Sequence, residues 1–181
     1  MTRILPLVLG LLAISTGALA QTAETTERAL AAAPRQMREG ATIIKWKPDF
    51  TYDTVKKGTN RLVCYDRSGE PGEQAFAVQC TSIGNLERVA QNRRFEAETD
   101  KAKRQALFDA AEANGTRVKP EFGSVFYSLD GPDQATARLH TTIAVPGATA
   151  KTLGLPDNGK EGGAWIMNAG TTTAHIMTPG H

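Results

Sequence analysis

The sequence lacks most of the short motifs that identify an enzyme chemistry. It contains no G-x-S-x-G elbow, P-loop, dinucleotide fingerprint, H-x-H pair or H-E-x-x-H pair. Its two cysteines are too far apart to form the Cys-x-x-Cys motif of a redox centre. The sequence therefore predicts no reaction, and a function has to be sought in less specific features.

The chain also lacks a strong charge of either sign and a second long apolar run. Its formal net charge is only +2, which gives no electrostatic reason to expect a nucleic acid or a strongly acidic substrate. After the first twenty residues, no stretch is long and apolar enough to span a membrane. We therefore expect neither nucleic-acid binding nor membrane insertion.

The first twenty residues have the three parts of a secretory signal peptide. Arg3 gives a positive start, Ile4 to Ala13 are apolar, and Ala18-Leu19-Ala20 form a small-x-small cleavage site. The apolar run is too short for a spanning helix, and no cysteine follows it to carry a lipid anchor. The pattern predicts cleavage before Gln21 and a periplasmic or secreted protein.

Export gives the two cysteines a structural interpretation. Cys64 and Cys80 enclose fifteen residues, and an oxidising compartment favours the pairing of two thiols. We predict a Cys64–Cys80 disulfide, and in the chain-entropy model a loop of this length is worth about 3 kcal/mol.

Beyond the leader, residues 21–40 and 41–181 differ in character. Residues 21–40 are rich in alanine but interrupted by Pro34, which predicts an N-terminal arm with a short, loosely docked helix. A single α+β domain is predicted for residues 41–181. In its middle, apolar residues three or four apart predict helices near residues 83–95 and 100–113, with the charges from Arg93 to Arg104 on their solvated face.

Strand patterns flank these helices on both sides. A strand-turn-strand pattern begins the domain, with its turn at Gly58-Thr59-Asn60. The strands are predicted at Ala41–Trp46, Arg61–Tyr65, Phe76–Cys80, Gly123–Leu129, Ala137–Val145, Ala164–Met167 and Thr172–Thr178. The order predicts an antiparallel β-sheet with a helical pair packed on one face and one disulfide.

Two histidines lie on the polar sides of the last long strands. Alternation places His140 beside Arg138 and Thr142, and it places His175 beside Thr173. If the two strands are neighbours, the imidazoles could converge as half of a divalent transition-metal site. In that hypothesis Arg138 is an anion clamp, and an oxygen ligand comes from Asp130, Asp133 or Glu121.

Other interpretations of these residues stay open. A histidine on a sheet face is more often half-buried and hydrogen-bonded than catalytic. Without an elbow motif, a serine hydrolase would need Ser124 or Ser128 with His140 and an acid such as Asp130. Four aromatic residues in or near strands could line a small-molecule pocket, although such residues more often belong to the core: Trp46, Tyr65, Phe126 and Trp165.

Several segments of the chain are distinctive together: Pro120–Leu129 (PEFGSVFYSL), Ala137–Pro146 (ARLHTTIAVP), Leu153–Pro156 (LGLP), Gly163–Met167 (GAWIM) and Ala174–Met177 (AHIM). With these segments, the chain resembles a family of exported Gram-negative bacterial proteins of unknown function. The resemblance implies a periplasmic setting and a single compact domain. It implies no reaction, and no catalytic residue is carried over from it.

Two functions follow as hypotheses from different classes. The weakness of every catalytic motif favours a periplasmic protein that binds a small ligand or an envelope protein. The alternative is a small metal-assisted hydrolase or lyase that uses His140 and His175, with Arg138 holding an anionic group of the substrate. Apart from such a metal, no cofactor is predicted.

Overall fold

A single sheet of eight strands organises the described part of the chain, residues 24–178 of the computed structural model. Its strands are β1 (Thr42–Trp46), β2 (Tyr52–Lys56), β3 (Leu62–Asp66), β4 (Phe76–Ser82), β5 (Val125–Gly131), β6 (Arg138–Ala144), β7 (Trp165–Met167) and β8 (His175–Met177). They lie in the order β2-β1-β3-β4-β5-β6-β8-β7. The predicted signal peptide lies outside the described residues.

Four α-helical segments within residues 24–178 accompany the sheet. Residues 24–29 are helical and are called α1 here; the others are α2 (Leu86–Glu96), α3 (Lys101–Ala113) and α4 (Ala150–Leu153). α3 begins after Asp100, whose side chain accepts hydrogen bonds from the backbone N–H groups of Ala102 and Lys103. The two helices predicted in the charged middle of the chain are therefore confirmed.

The predicted fold class is confirmed, and α2 is the member of the predicted helical pair that packs on the sheet. Its residues Leu86, Val89 and Ala90 are buried in one cluster with Ile44, Trp46, Val63 and Tyr65. α3 buries only Ala111 and packs on α2 through an edge contact between Phe95 and Phe108, with ring centroids 5.2 Å apart. The helical pair thus forms two layers over one face of the sheet.

The N-terminal segment covers the opposite face. Ala32 and Ala33 are buried in a cluster with residues of β3 and β4, because small side chains let this segment approach the sheet closely. Arg28 fixes α1 through an ion pair with Asp66 at 2.7 Å and lies 4.7 Å from the ring centroid of Phe76. Ala29, Ala32 and Ala33 of the predicted arm are therefore buried against the sheet.

The predicted disulfide is confirmed, and it lies between the sheet and the N-terminal segment. Cys64 of β3 stands directly opposite Cys80 of β4, and the two form a disulfide that is fully buried. It joins neighbouring strands beneath Ala32 and Ala33.

The first part of the sheet differs from the strand-turn-strand expectation. An additional strand, β2, pairs with β1 on the outside, and β1 then pairs in parallel with β3. The other neighbouring strands are antiparallel. Four of the five residues of β2 are exposed, so the strand shows no alternation of buried and exposed positions.

The return from β2 to β3 depends on the absence of a side chain at Gly58. A Cβ atom there would overlap the carbonyl oxygen of Gly40 and lie 2.5 Å from the carbonyl carbon of Ala41. The backbone N–H of Gly58 also donates to Thr42 Oγ1 at 3.1 Å. This close approach holds the connection against the start of β1.

We expect Gly58→Ala to lower the unfolding free energy by about 1–3 kcal/mol, since backbone atoms must move to admit the methyl group. Urea denaturation measures the change. Gly163→Ala is the matched control, because a Cβ atom at Gly163 meets nothing within 4 Å. Equal stability of the two variants would contradict the close packing described at Gly58.

Candidate functional site

A cleft with two adjoining chambers lies between the helical pair and the C-terminal strands. The larger chamber, of about 440 Å³, is called the outer chamber here, and the smaller one, of about 180 Å³, is called the inner chamber. Arg88, Asn92 and Thr173 contribute to the walls of both. The cleft therefore draws on α2, the loop before β8 and the polar face of the sheet.

Arg88 is the central charged residue of the cleft, and it is only 4% exposed. Its Nη1 donates to the carbonyl oxygen of Val118 at 2.5 Å, and its Nη2 donates to Thr173 Oγ1 at 2.9 Å. No ion pair among residues 24–178 includes Arg88. Burial, together with the charge of Arg117, lowers the pKa of Arg88 to about 10, which still leaves it a cation at neutral pH. A buried cation held by neutral acceptors retains the capacity to attract an anion.

Arg117 is the second buried arginine, and it is 5% exposed. Its guanidinium donates to Gln91 Oε1 at 2.5 Å and to Asn92 Oδ1. The Arg117 Cζ lies 4.9 Å from the ring centroid of Phe108 and 5.5 Å from that of Phe95. Burial lowers the pKa of Arg117 as well. Arg117 thus ties the loop after α3 to α2 with neutral and aromatic partners.

Negative charge is confined to the outer chamber. Glu112 and Asp109 line that chamber together with Arg117. The Glu112 carboxylate accepts hydrogen bonds from Thr172 N at 2.7 Å and Thr172 Oγ1 at 2.6 Å, and these bonds outweigh burial and lower its pKa. The inner chamber is lined by Arg88 and by no carboxylate among the described residues. The inner chamber is therefore positive.

His175 is the one residue of the predicted metal pair that the structure places in the cleft. It lies on β8 opposite Ala144 and lines the inner chamber. Its Nδ1 is 2.8 Å from the carbonyl oxygen of Thr173. Because a carbonyl only accepts, Nδ1 carries the hydrogen of this bond, and Nε2 is left as the second polar atom of the ring.

His140 and Arg138 lie elsewhere on the same sheet face. β6 and β8 are neighbours, as the metal hypothesis required, but His175 pairs with a position four residues beyond His140. Four residues of a strand span about 13 Å. His140 and Arg138 are exposed on β6, and neither lines a chamber of the cleft. The structure therefore does not bring the two histidines together with Arg138.

Two of the three carboxylates proposed as metal ligands accept hydrogen bonds from other residues. The Glu121 carboxylate accepts from Arg61 at 2.5 Å and also from Ser82, and Asp133 accepts from Thr136 N and Oγ1, each at 2.9 Å. Asp130 stands opposite Arg138. Within residues 24–178, no group of three or more His, Cys, Asp or Glu side chains is placed to hold a metal ion.

The serines of the hydrolase alternative have other partners. Ser128 stands directly opposite His140, but its Oγ accepts from Gln79 Nε2 at 2.8 Å. Ser124 Oγ donates to the carbonyl oxygen of Glu121 at 2.6 Å. Within residues 24–178, neither serine is hydrogen-bonded to an imidazole, as the serine hydrolase alternative would require.

The chain was also compared with known proteins. Scans against protein-family models, curated proteins and solved structures find no match. In the part of the chain that the structure describes, no helix has the length and apolar character needed to cross a membrane. Any function therefore has to be inferred from the chemistry of the cleft.

Proposed function

We propose that this protein is exported to the periplasm and binds a small organic anion in the inner chamber, with an anionic oxygen of the ligand on Arg88. The observation that carries the proposal is the Arg88 guanidinium, which is 4% exposed and held by neutral acceptors in the wall of a chamber lined by no carboxylate of residues 24–178. A carboxylate provides the paired acceptor oxygens that a guanidinium binds most strongly.

The rest of the inner chamber supports a small carboxylate. Polar side chains that can orient its oxygens come from Gln79, Asn92, Thr142, Thr173 and His175. Phe126, Ala144 and Pro120 add an apolar side for a short hydrocarbon part. The volume of about 180 Å³ suits a ligand smaller than a typical drug, and the adjoining outer chamber gives space for a polar extension.

The proposed location is supported by features outside the cleft. The buried Cys64–Cys80 disulfide is typical of a protein that folds in an oxidising compartment. The signal-peptide pattern of residues 1–20 and the resemblance to exported Gram-negative proteins agree with this location. Fractionation of the native host, with detection of a chain that begins at Gln21, tests it.

Binding is tested on protein purified from the periplasm, by native mass spectrometry and by calorimetric titration with acetate, lactate and succinate. We expect at least one of these probes to bind saturably. Arg88→Met should weaken that binding by about tenfold or more, because a hydrogen bond to a charged group contributes about 1.5–3 kcal/mol. Arg138→Met changes an exposed arginine on the sheet face that borders the inner chamber, and this variant should bind like the wild type.

A second variant keeps the test valid if Arg88→Met fails to fold. Thr142 is half-buried and lines the inner chamber, so Thr142→Phe fills the chamber without removing a buried charge. Loss of binding in this variant together with native-like circular dichroism supports the proposal. Absence of saturable binding by all three probes, or an equal loss in Arg138→Met, would overturn it.

A further inference from the structure

A separate cavity of about 410 Å³ lies where the parallel strands β1 and β3 part. Their ladder joins Thr42 to Val63 and Ile43 to Cys64, and it does not continue beyond these pairs. Past that point, Ile44 to Trp46 form one wall of the cavity, and residues 66 and 68–70 form the other. Beyond Ile43, the side of β1 that faces β3 therefore has no ladder partner and borders the cavity. An added extended segment can pair with this edge of β1.

Two hydrogen-bond donors beside this cavity have no partner within residues 24–178. They are Trp46 Nε1 and Arg93 Nε, and both atoms are buried. Trp46 is 9% exposed, and both side chains line the cavity. The Arg93 Cζ lies 5.0 Å from the Trp46 ring centroid, so the two unpartnered groups are next to each other. Unpaired buried donors are rare in native proteins and are satisfied when a ligand supplies an acceptor oxygen.

Charges of both signs surround these donors. Lys45 is exposed at one wall, and Asp66 and Glu70 are half-buried at the other. Asp66 forms an ion pair with Arg28 at 2.7 Å, and Glu70 forms one with Arg93 at 2.5 Å. The cavity therefore offers a cationic and an anionic group on opposite walls, with apolar surface from Ala29 and Ile43 between them.

We propose that this cavity binds a short zwitterionic peptide of two or three residues in an extended conformation. The peptide backbone pairs with the open edge of β1 at Ile44–Trp46, and a peptide carbonyl accepts hydrogen bonds from Trp46 Nε1 and Arg93 Nε. The terminal carboxylate lies toward Lys45, and the terminal ammonium group lies toward Asp66 and Glu70. Because both donor nitrogens are shielded from solvent in the free protein, binding requires these two side chains to turn toward the peptide.

The proposal is independent of anion binding in the cleft, and it is tested by NMR with trialanine as the probe. The chain has two tryptophans, so its ¹H–¹⁵N spectrum contains two indole N–H signals, and Trp46→Phe identifies the one from Trp46. We expect trialanine to move the Trp46 signal saturably and to leave the Trp165 signal in place. N-acetyl-trialanine amide, which lacks both terminal charges, should bind more weakly.

Lys45→Gln supplies the variant test, because an exposed residue can be changed without disturbing the fold. We expect it to weaken trialanine binding by about twofold to fivefold, the effect of losing one ion pair at a solvent-exposed lysine. Lys57→Gln, at another exposed lysine of this end of the sheet, should have no effect. A Trp46 signal that does not respond to trialanine, equal movement of both indole signals, or unchanged affinity in Lys45→Gln would overturn the proposal.

Discussion

Arg67→Met is expected to lower the unfolding free energy by about 3–5 kcal/mol at neutral pH, the cost of leaving mostly buried charges without their partner. Arg67 is the only arginine in contact with three carboxylates, among the ion pairs of residues 24–178. It lies 2.6 Å from Glu73, 2.8 Å from Glu96 and 3.3 Å from Glu70. Its side chain is 16% exposed. Without it, Glu73 and Glu96 would repel each other with little water to screen them.

The pH dependence of this loss identifies its cause. Burial raises the pKa of Glu73, and the charge of Glu96 raises it further, while Arg67 opposes both effects. Removal of Arg67 should raise the Glu73 pKa more, so that the folded state takes up protons more readily than the unfolded state. The unfolding free energy of Arg67→Met should therefore increase as the pH falls from about 7 toward about 5.

Urea denaturation at several pH values measures both effects. Arg138→Met is the control, since Arg138 is exposed and a surface substitution is expected to stay within about 0.5 kcal/mol. A loss that does not diminish in acid would show that packing of the Arg67 side chain, rather than charge, accounts for the destabilisation.

Removal of the disulfide is the second large effect that we expect. Cys64→Ala/Cys80→Ala should lower the unfolding free energy by about 2–5 kcal/mol, because the unfolded chain gains freedom and the core loses two buried sulfur atoms. Guanidinium denaturation of the oxidised wild type and the double variant measures the difference.

Reduction of the wild type gives an independent check. Both cysteines are fully buried, so dithiothreitol should reduce the bond only when the chain opens, and its rate should rise with added denaturant. Rapid reduction of the native protein, or equal stability of the two proteins, would contradict the buried location of the bond beneath Ala32 and Ala33.

The main strands and helices could be predicted because their apolar residues recur at the period of the element or, as in the buried strands β1, β3 and β4, form a nearly continuous run. In β5, the period of two places Val125, Tyr127 and Leu129 on one face, and the observed register pairs Leu129 with Leu139 of β6. β2 could not be predicted in this way, because an edge strand exposed on both sides carries no such alternation. The parallel pairing of β1 with β3 follows from that missing strand.

The candidate site was less accessible to sequence reasoning. Alternation correctly placed His140 and His175 on one face, but the register that separates them depends on pairing between distant segments. Arg88 was missed because it stands in a charged helical region, where arginines are usually solvated. Its acceptors Val118 and Thr173 lie 30 and 85 residues along the chain, so only the folded structure shows that it is buried.

The two edge strands of the sheet affect whether copies of the protein associate at high concentration. A long, flat, apolar edge strand is a template for pairing with other chains. β7 has only three residues, and the backbone N–H of its Ile166 is already bound to the carbonyl oxygen of Pro156 at 2.9 Å. β2 carries Asp53, paired with Lys47 at 2.6 Å, and ends in Lys56. Each end therefore resists the strand-to-strand addition that begins fibril growth.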